Sequence, residues 1–197
     1  MNLVARVQGI LLKPKEEWVK IKGEPTSVAQ LFTGYAILLA AIPAIAQFVG
    51  RALIGTHIPF VGWVRWNLGS SILYAVIAYV LALVGVYVLG VIINALAPSF
   101  GSKQSMEKAM KLSVYSMTPA WIAGVLYIIP VLGILAAIAS IYGLYILYLG
   151  FAEPLMDTPK DKVMGYLVVS IVVAIVIYFV VGLIAGAIIV GGAYRGL

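Results

Sequence analysis

The sequence predicts an all-α, polytopic membrane protein with five transmembrane helices and an interfacial amphipathic helix at its N-terminus. Hydrophobic residues make up 63% of the 197 positions and charged residues only 10%, against roughly 45–50% and about 25% in soluble domains. The apolar residues gather into runs of about 20 or more, the length that crosses the hydrocarbon of a bilayer. A soluble domain of this length could not bury so much apolar surface, which excludes soluble enzymes and nucleic-acid-binding modules.

Residues 1–27 predict a cytoplasmic amphipathic tail with two short helices. Apolar residues recur at helical spacing over the first of them, which is too short to span a bilayer. Pro14 suits the first position of the second helix, and Gly23 suits its end. We expect the tail to lie on the membrane, with an indole at headgroup depth and lysines on phosphates. A docking surface for a cytosolic protein is the compatible alternative. The residues of this interfacial anchor are Trp18, Lys20 and Lys22.

Residues 28–197 predict the membrane domain. Ser27 and Gln30 have the spacing of a capping box at the start of the first span. An apolar run later in the chain is too long for one span, and Pro130 divides it because proline disfavours helix at the residue before it. The predicted spans are residues 28–50, 70–97, 112–129, 131–152 and 163–191.

Charge places the N-terminus in the cytoplasm and the C-terminus outside. Most Lys and Arg residues precede the first span or lie in the second–third and fourth–fifth connections, which share one side of the membrane. Only Arg51, Arg65 and Arg195 fall on the other side. Positively charged loops stay in the cytoplasm. The charges therefore predict a multi-pass protein with its N-terminus in the cytoplasm and its C-terminus outside.

The predicted spans contain no Asp, Glu, Lys, Arg or His well inside them. Ion-coupled transporters and intramembrane proteases usually carry such groups despite their cost. The chain has no Cys and one His, so thiolate chemistry and clusters of histidine ligands are excluded. We therefore predict no catalytic, cofactor-binding or metal-binding site, and a protein that is not an enzyme.

Hydroxyl, amide and proline positions within the spans have two interpretations. Such groups form hydrogen bonds between membrane helices, and they also line ligand clefts next to proline-broken helices. Both interpretations stay open. The candidate residues for interhelix contacts or a polar cleft are Gln47, Asn94, Tyr115, Thr118, Pro119, Tyr142 and Tyr145.

Small residues at a spacing of four predict close helix packing. Gly182 and Gly186 form such a pair in the fifth span, and Ala120 and Gly124 form another in the third. Small side chains let helix backbones approach each other. The contact is either within one chain or the seam of a homo-oligomer.

Several segments together resemble the Yip domain family, the Ypt-interacting proteins. These are Pro14 to Trp18, Gly101–Gln104, Tyr115–Pro119, the break at Pro130 and Tyr145–Gly150. The resemblance implies five spans with a cytoplasmic N-terminus. It also implies a role in membrane trafficking or organisation, since eukaryotic relatives associate with prenylated Rab-type GTPases and often form oligomers. The short tail of this chain is similar to that of the short prokaryotic members, and this resemblance implies a location in the cell (inner) membrane.

Two functions therefore remain open. The first is a non-enzymatic membrane scaffold or adaptor, which needs no charge within the spans. The alternative is a small transporter, channel or lipid-handling protein without ion coupling. The expected partners are the lipid bilayer, a second copy of the chain and a cytosolic protein at the N-terminal tail, with no nucleic acid.

Overall fold

The computed structural model describes residues 2–58, 60, 62–152, 155–176 and 179. This part of the chain is almost entirely helical. Three of its helices are long and apolar enough to cross a membrane, namely Val28–Ile54, Leu68–Phe100 and Pro130–Phe151. The helices are α1 (Leu3–Leu12), α2 (Pro14–Gly23), α3 (Val28–Ile54), α4 (Leu68–Leu96), α5 (Met106–Ser116), α6 (Thr118–Ala123), α7 (Gly133–Phe151) and α8 (Val163–Val176).

The third and fifth predicted spans differ from single long helices. The third comprises α5, α6 and a 3-10 turn over Gly124–Ile128. Pro119 lies at the start of α6, where its missing amide costs least. The fifth, residues 163–191, begins with α8 and lies partly outside the described residues. Five spans therefore stay a prediction, while a helical membrane protein is established.

The ends of the first helices follow the sequence prediction. Pro14 occupies the first turn of α2, and Gly23 is its last residue. Ser27 and Gln30 form the capping box at the start of α3, each side chain bonding the other's backbone amide. These positions confirm that local signals in the sequence set the helix ends.

The chain reverses direction after α3 and again before α7. A two-stranded antiparallel hairpin, β1 (Thr56–Ile58) with β2 (Gly62–Val64), joins α3 to α4. The all-α prediction did not include this hairpin, because no alternating pattern of apolar and polar residues marks it. Ile129 is extended, and a 3-10 turn begins at Pro130, so the predicted break before this proline is confirmed.

Helix α5 lies at the centre of the bundle. Every residue from Ala109 to Ser116 is buried, and the helix packs against α4 and α7. A Cβ added at Gly90 of α4 would lie 2.5 Å from the Met110 sulphur. The helical hairpin, which we define as α1 with α2, packs onto this central unit, with α1 against α6 and α2 against α7.

Candidate functional site

A buried ion pair holds the two helices of the helical hairpin together. Arg6 of α1 and Glu17 of α2 are each 5% exposed, and Arg6 Nη1 donates to Glu17 Oε1 at 2.6 Å. Arg6 Nη2 donates to Glu24 beyond the end of α2. A side chain at Gly9 would collide with the Glu17 carboxylate, because an added Cβ would lie 2.4 Å from it. Gly9 therefore makes the room that this ion pair occupies.

The ion pair is costly to break. Taking two charges out of water costs several kcal/mol per ion, which only close contact repays, and removing one partner costs about 3–5 kcal/mol. Burial acts to lower the pKa of Arg6, but the hydrogen bond with Glu24 and the nearby charges outweigh it and the net shift is upward. The guanidinium of Arg6 therefore stays charged.

Lys111 connects the helical hairpin to the central helix α5. Its side chain is 2% exposed, and Nζ donates to the carbonyl oxygens of Ile21, at 3.1 Å, and of Glu24. A cation at the carboxyl end of a helix is favourable because the unpaired carbonyls there carry partial negative charge. Lys111 also pairs with Glu107 at 2.6 Å. This hydrogen bond lowers the pKa of Glu107, against a smaller opposing effect of burial.

Aromatic rings fill the space beneath the ion pair. Trp18 donates its indole N–H to the Ile146 carbonyl of α7 at 3.2 Å and meets Tyr115 edge-on, with ring centroids 6.2 Å apart. Tyr115 meets Tyr35 of α3 in the same way at 4.8 Å. Such pairs each add about 0.5–1.5 kcal/mol beyond the area they bury. The stack links the hairpin to α3, α5 and α7.

A groove opens beside the hairpin, between α2 and the connection from α7 to α8. Its volume is about 680 Å³. Asp157, in this connection, pairs with Lys22 at 2.8 Å and with Lys108 at 3.4 Å. Burial acts to raise the pKa of Asp157, but the two lysine hydrogen bonds outweigh it and lower the pKa. The groove is lined by Lys15, Trp18, Val19, Leu149, Ala152, Asp157, Thr158, Pro159 and Lys160.

The residues predicted to line a polar cleft lie in separate parts of the structure. Thr118 lies with Tyr115: its hydroxyl is 2.7 Å from the Tyr35 hydroxyl and donates to the Tyr115 carbonyl. Pro119 follows in α6 and is buried. Tyr115 and Thr118 therefore contact α3 within the aromatic stack.

The other candidates lie elsewhere. Gln47 lines a different cavity, at the end of α3 that is far from the hairpin. Asn94 of α4 has a buried side-chain oxygen without a hydrogen-bond partner among the described residues. Tyr142 donates to the Leu11 carbonyl at 2.9 Å, and its ring stacks on Tyr145 at 5.7 Å. The seven candidates therefore do not line one common cleft.

Small residues allow close packing in the third predicted span. A Cβ added at Gly124 would lie 2.5 Å from Cβ of Pro43 in α3, so these two segments touch where Gly124 has no side chain. Ala120 is partly buried in α6. The predicted pair Gly182 and Gly186 lies outside the described residues.

The predicted interfacial anchor needs a correction at Trp18. Its ring is 1% exposed and lies among protein side chains, so it is not available to lipid headgroups. The apolar face of α2 packs on α5 and α7 because their rings and carbonyl groups offer better partners than a headgroup region. Lys20 is exposed and pairs with Glu17, and Lys22 pairs with Asp157. Their contact with lipid phosphates stays a prediction.

Sequence reasoning missed the charged members of the site. Arg6 lies one helical turn from Ile10 on the buried face of α1, and Glu17 lies beside Trp18 and one turn from Ile21 on the buried face of α2. A charged residue on an apolar face was the available signal. Two such residues, one on each short helix and of opposite charge, predict a buried ion pair.

The site is built for binding between helices. Its carboxylates, guanidinium and ammonium groups are paired with each other or with backbone carbonyls. The described residues contain no group of three or more His, Cys, Asp or Glu side chains that could hold a metal ion. This arrangement fixes the position of α1 and α2 on the bundle.

Comparisons with known proteins agree with this architecture. A family model described as the Yip1 domain matches residues 9–194. A curated protein from Escherichia coli (strain K12), "Inner membrane protein YohC", is 27% identical over 128 residues, or 65% of this chain. The protein of the same name from Escherichia coli O6:H1 gives the same values.

The chain spans 66% of the length of these curated relatives. No solved structure matches the chain significantly. The family model, by contrast, covers nearly the whole chain, from the last residues of α1 through α2, the central helix α5 and the Pro130 turn. The protein is therefore a multi-pass membrane protein that belongs to the Yip1 domain family, as the resemblance of its motifs predicted.

Proposed function

We propose that the protein is a non-enzymatic scaffold or adaptor of the inner membrane. The proposal includes five spans, with the N-terminus in the cytoplasm and the C-terminus outside, the orientation that the distribution of Lys and Arg favours. The observation that carries the proposal is the locked helical hairpin. The buried Arg6–Glu17 pair, together with Lys111, fixes an N-terminal segment that would otherwise be a short, marginal helix pair. A fixed segment at the membrane surface provides a rigid binding surface.

The groove beside the helical hairpin determines which side chains the binding surface presents to a partner. Val19 is 60% exposed within it, and Lys15 and Lys160 are exposed cations on its lining. Asp157, the acidic residue of the lining, already has two lysine partners. An excess of positive charge around an apolar floor suits a partner segment that combines acidic and apolar side chains.

The core of the bundle also supports a scaffold. The core around α5 is filled by side chains such as Tyr35, Ile93 and Leu112, none of which is more than 1% exposed. Such packing is typical of a protein interior. A filled interior favours a binding role over a water-filled route through this part of the molecule.

Site-specific photo-crosslinking in native membranes tests the proposal. A crosslinker replaces Val19 or Lys160 in the groove, and the control replaces Ile138, which is 58% exposed on α7 and lies away from the groove. We expect one product of fixed mass from both groove positions and none from Ile138. The captured protein is then identified and purified, and binding is re-measured with wild-type protein and with Lys160→Glu. Equal products from all three positions, or unchanged binding to K160E, would contradict the proposal.

A lipid-handling protein is the second candidate. A groove of about 430 Å³ between α3 and α4 is lined by apolar side chains, including Ala44, Phe48 and Val76. An acyl chain suits such a lining because it needs no hydrogen bonds. Reconstituted vesicles decide between the candidates: accelerated lipid transfer or solute flux that a bulky Ala44→Trp variant abolishes would favour this candidate over the scaffold.

A further inference from the structure

Arg51 lies in an unusual electrostatic position. It belongs to the last turn of α3, at the end of the bundle opposite the helical hairpin. Every ion pair among the described residues is formed at the hairpin end, by Arg6 and by lysines. No described carboxylate lies within 4.0 Å of the Arg51 side chain. Its charge is therefore not neutralised by the described part of the chain.

Aromatic rings hold the Arg51 side chain in place. Its guanidinium carbon lies 3.6 Å from the ring centroid of Tyr74 and 5.2 Å from that of Trp66. Cation–π contacts of this kind are worth about 0.5–1 kcal/mol at exposed sites and about 2 kcal/mol when desolvated. They leave the N–H edges of the guanidinium free to donate. The two rings thus fix the position of the guanidinium, and its N–H groups stay available to a ligand.

The guanidinium lines a cavity of about 520 Å³, which we call the Arg51 cavity. The residues that line it with Arg51 include four whose side chains carry hydrogen-bond donors: Gln47, Trp66, Tyr74 and Tyr127. None of these side chains forms a hydrogen bond with another described residue. A cavity of this size with one fixed cation and several unused donors is suited to an anion that accepts several hydrogen bonds.

We propose that the Arg51 cavity binds a phosphate group carrying net negative charge, and that an anionic phospholipid headgroup is its source. The planar fork of arginine matches phosphate oxygens with two parallel hydrogen bonds. Tryptophan and tyrosine rings, as at Trp66 and Tyr74, are typical of the membrane interface, where headgroups lie. The inference is independent of the proposed function, since it uses the other end of the molecule.

Binding to purified full-length protein in detergent micelles tests the proposal. Native mass spectrometry measures occupancy with micelles containing phosphatidylglycerol or phosphatidylcholine. We expect the wild type to prefer phosphatidylglycerol by about tenfold, or about 1.4 kcal/mol, because the choline cation of phosphatidylcholine offsets the phosphate charge and is repelled by Arg51. Arg51→Gln should lose this preference, and Arg51→Lys should keep part of it. Arg65→Gln is the matched control, because Arg65 lies in the connection that follows α3 but does not line the cavity, and it should behave as wild type.

The outcomes separate the sources of the phosphate. Inorganic phosphate that displaces phosphatidylglycerol would support the anion site but assign it to free phosphate. Failure of phosphate to displace the lipid would support the headgroup. A wild-type preference retained in R51Q, or lost equally in R65Q, would overturn the proposal. Circular dichroism and gel filtration check folding, and Gln47→Leu serves as a second cavity variant if R51Q does not fold.

Discussion

At the residue scale, neighbouring glutamates of α2 have opposite structural roles. Glu17 is buried against Arg6, whereas Glu16 forms an exposed pair with Lys13 at 3.6 Å. Exposed pairs are worth roughly 0–1 kcal/mol, while removing one partner of a buried pair costs about 3–5 kcal/mol. Both glutamates belong to α2, so the difference between their contributions to stability comes from burial.

We predict that Glu17→Gln opens the helical hairpin and that Glu16→Gln does not. Loss of the Glu17 charge leaves Arg6 buried beside fewer carboxylates, and opening should become easier by about 3 kcal/mol. Trypsin cleavage at the hairpin lysines, measured in the native state, should then accelerate about 100-fold, since it follows the open population. Equal cleavage rates for the two variants would show that the pair does not hold the hairpin.

Asp157 gives the protein a sensitivity to acid. Its folded pKa is lowered, so the contribution of its lysine pairs to stability is complete above the ordinary carboxyl pKa, near 4. This contribution is lost as the pH falls through the lowered value. Because the side chain is 47% exposed, screening limits the effect to less than about 1 kcal/mol.

We predict that Asp157→Asn reduces the acid sensitivity of thermal unfolding. The midpoint at neutral pH should fall by about 2 °C, whereas at pH values well below 4 the variant and wild type should converge. Asp161→Asn is the control, because Asp161 is exposed and forms no ion pair with a described residue. Parallel pH profiles of wild type and D157N would contradict the assignment.

At the scale of elements, helix packing depends on places where a side chain is missing. At Gly124 an added Cβ would lie 2.5 Å from Pro43 Cβ and 3.1 Å from its Cα, and the proline ring cannot move aside. At Gly34 of α3 nothing lies within 4 Å of an added Cβ. The two glycines therefore form a matched pair.

We predict that Gly124→Ala destabilises the protein and that Gly34→Ala does not. Overpacking a tight contact typically costs about 1–3 kcal/mol, so the midpoint of thermal unfolding in detergent should fall by several degrees for G124A. For G34A it should stay the same or rise, since alanine favours helix over glycine. A lower midpoint for G34A than for G124A would rule out this account of the contact.

The elements themselves were largely predictable from the sequence. Apolar runs, the capping box at Ser27 and the prolines at positions 14 and 130 set where helices begin or end. What could not be predicted is which surface each apolar face meets. Trp18 on an amphipathic helix suits a lipid interface and a protein interior equally well, and only the carbonyl of Ile146, distant in sequence, decides between them.

The candidate site was predicted in part. Tyr115 and Thr118 lie in the buried stack, whereas the charged members lie outside the predicted spans and were not predicted. Arg6 and Glu17 lie in the tail, and their burial depends on the packing of two short helices against α5. Long-range contacts of this kind leave only a weak trace in the local sequence.

At the scale of the whole molecule, the orientation in the membrane is the main prediction that the fold leaves to experiment. Positive charge is concentrated at the end of the bundle that holds the helical hairpin, whereas Arg51 lies in the last turn of α3 and Arg65 follows α3. With five spans, reporters fused to the two ends should lie on opposite sides. We expect a cytoplasmic signal from an N-terminal fusion and an external signal from a C-terminal one. Both signals on one side would reject five spans.

The Trp18–Ile146 contact also constrains the order of events during synthesis. The indole and its acceptor are 128 residues apart, and a ribosome adding about 5–20 residues per second needs roughly 6–26 s to make the intervening chain. Throughout that interval the nascent N-terminal helices exist without the surface that later covers them. Until α7 has been translated, their aromatic and charged side chains must contact water, the bilayer surface or a chaperone. The N-terminal helices are therefore made first but reach their final packing late.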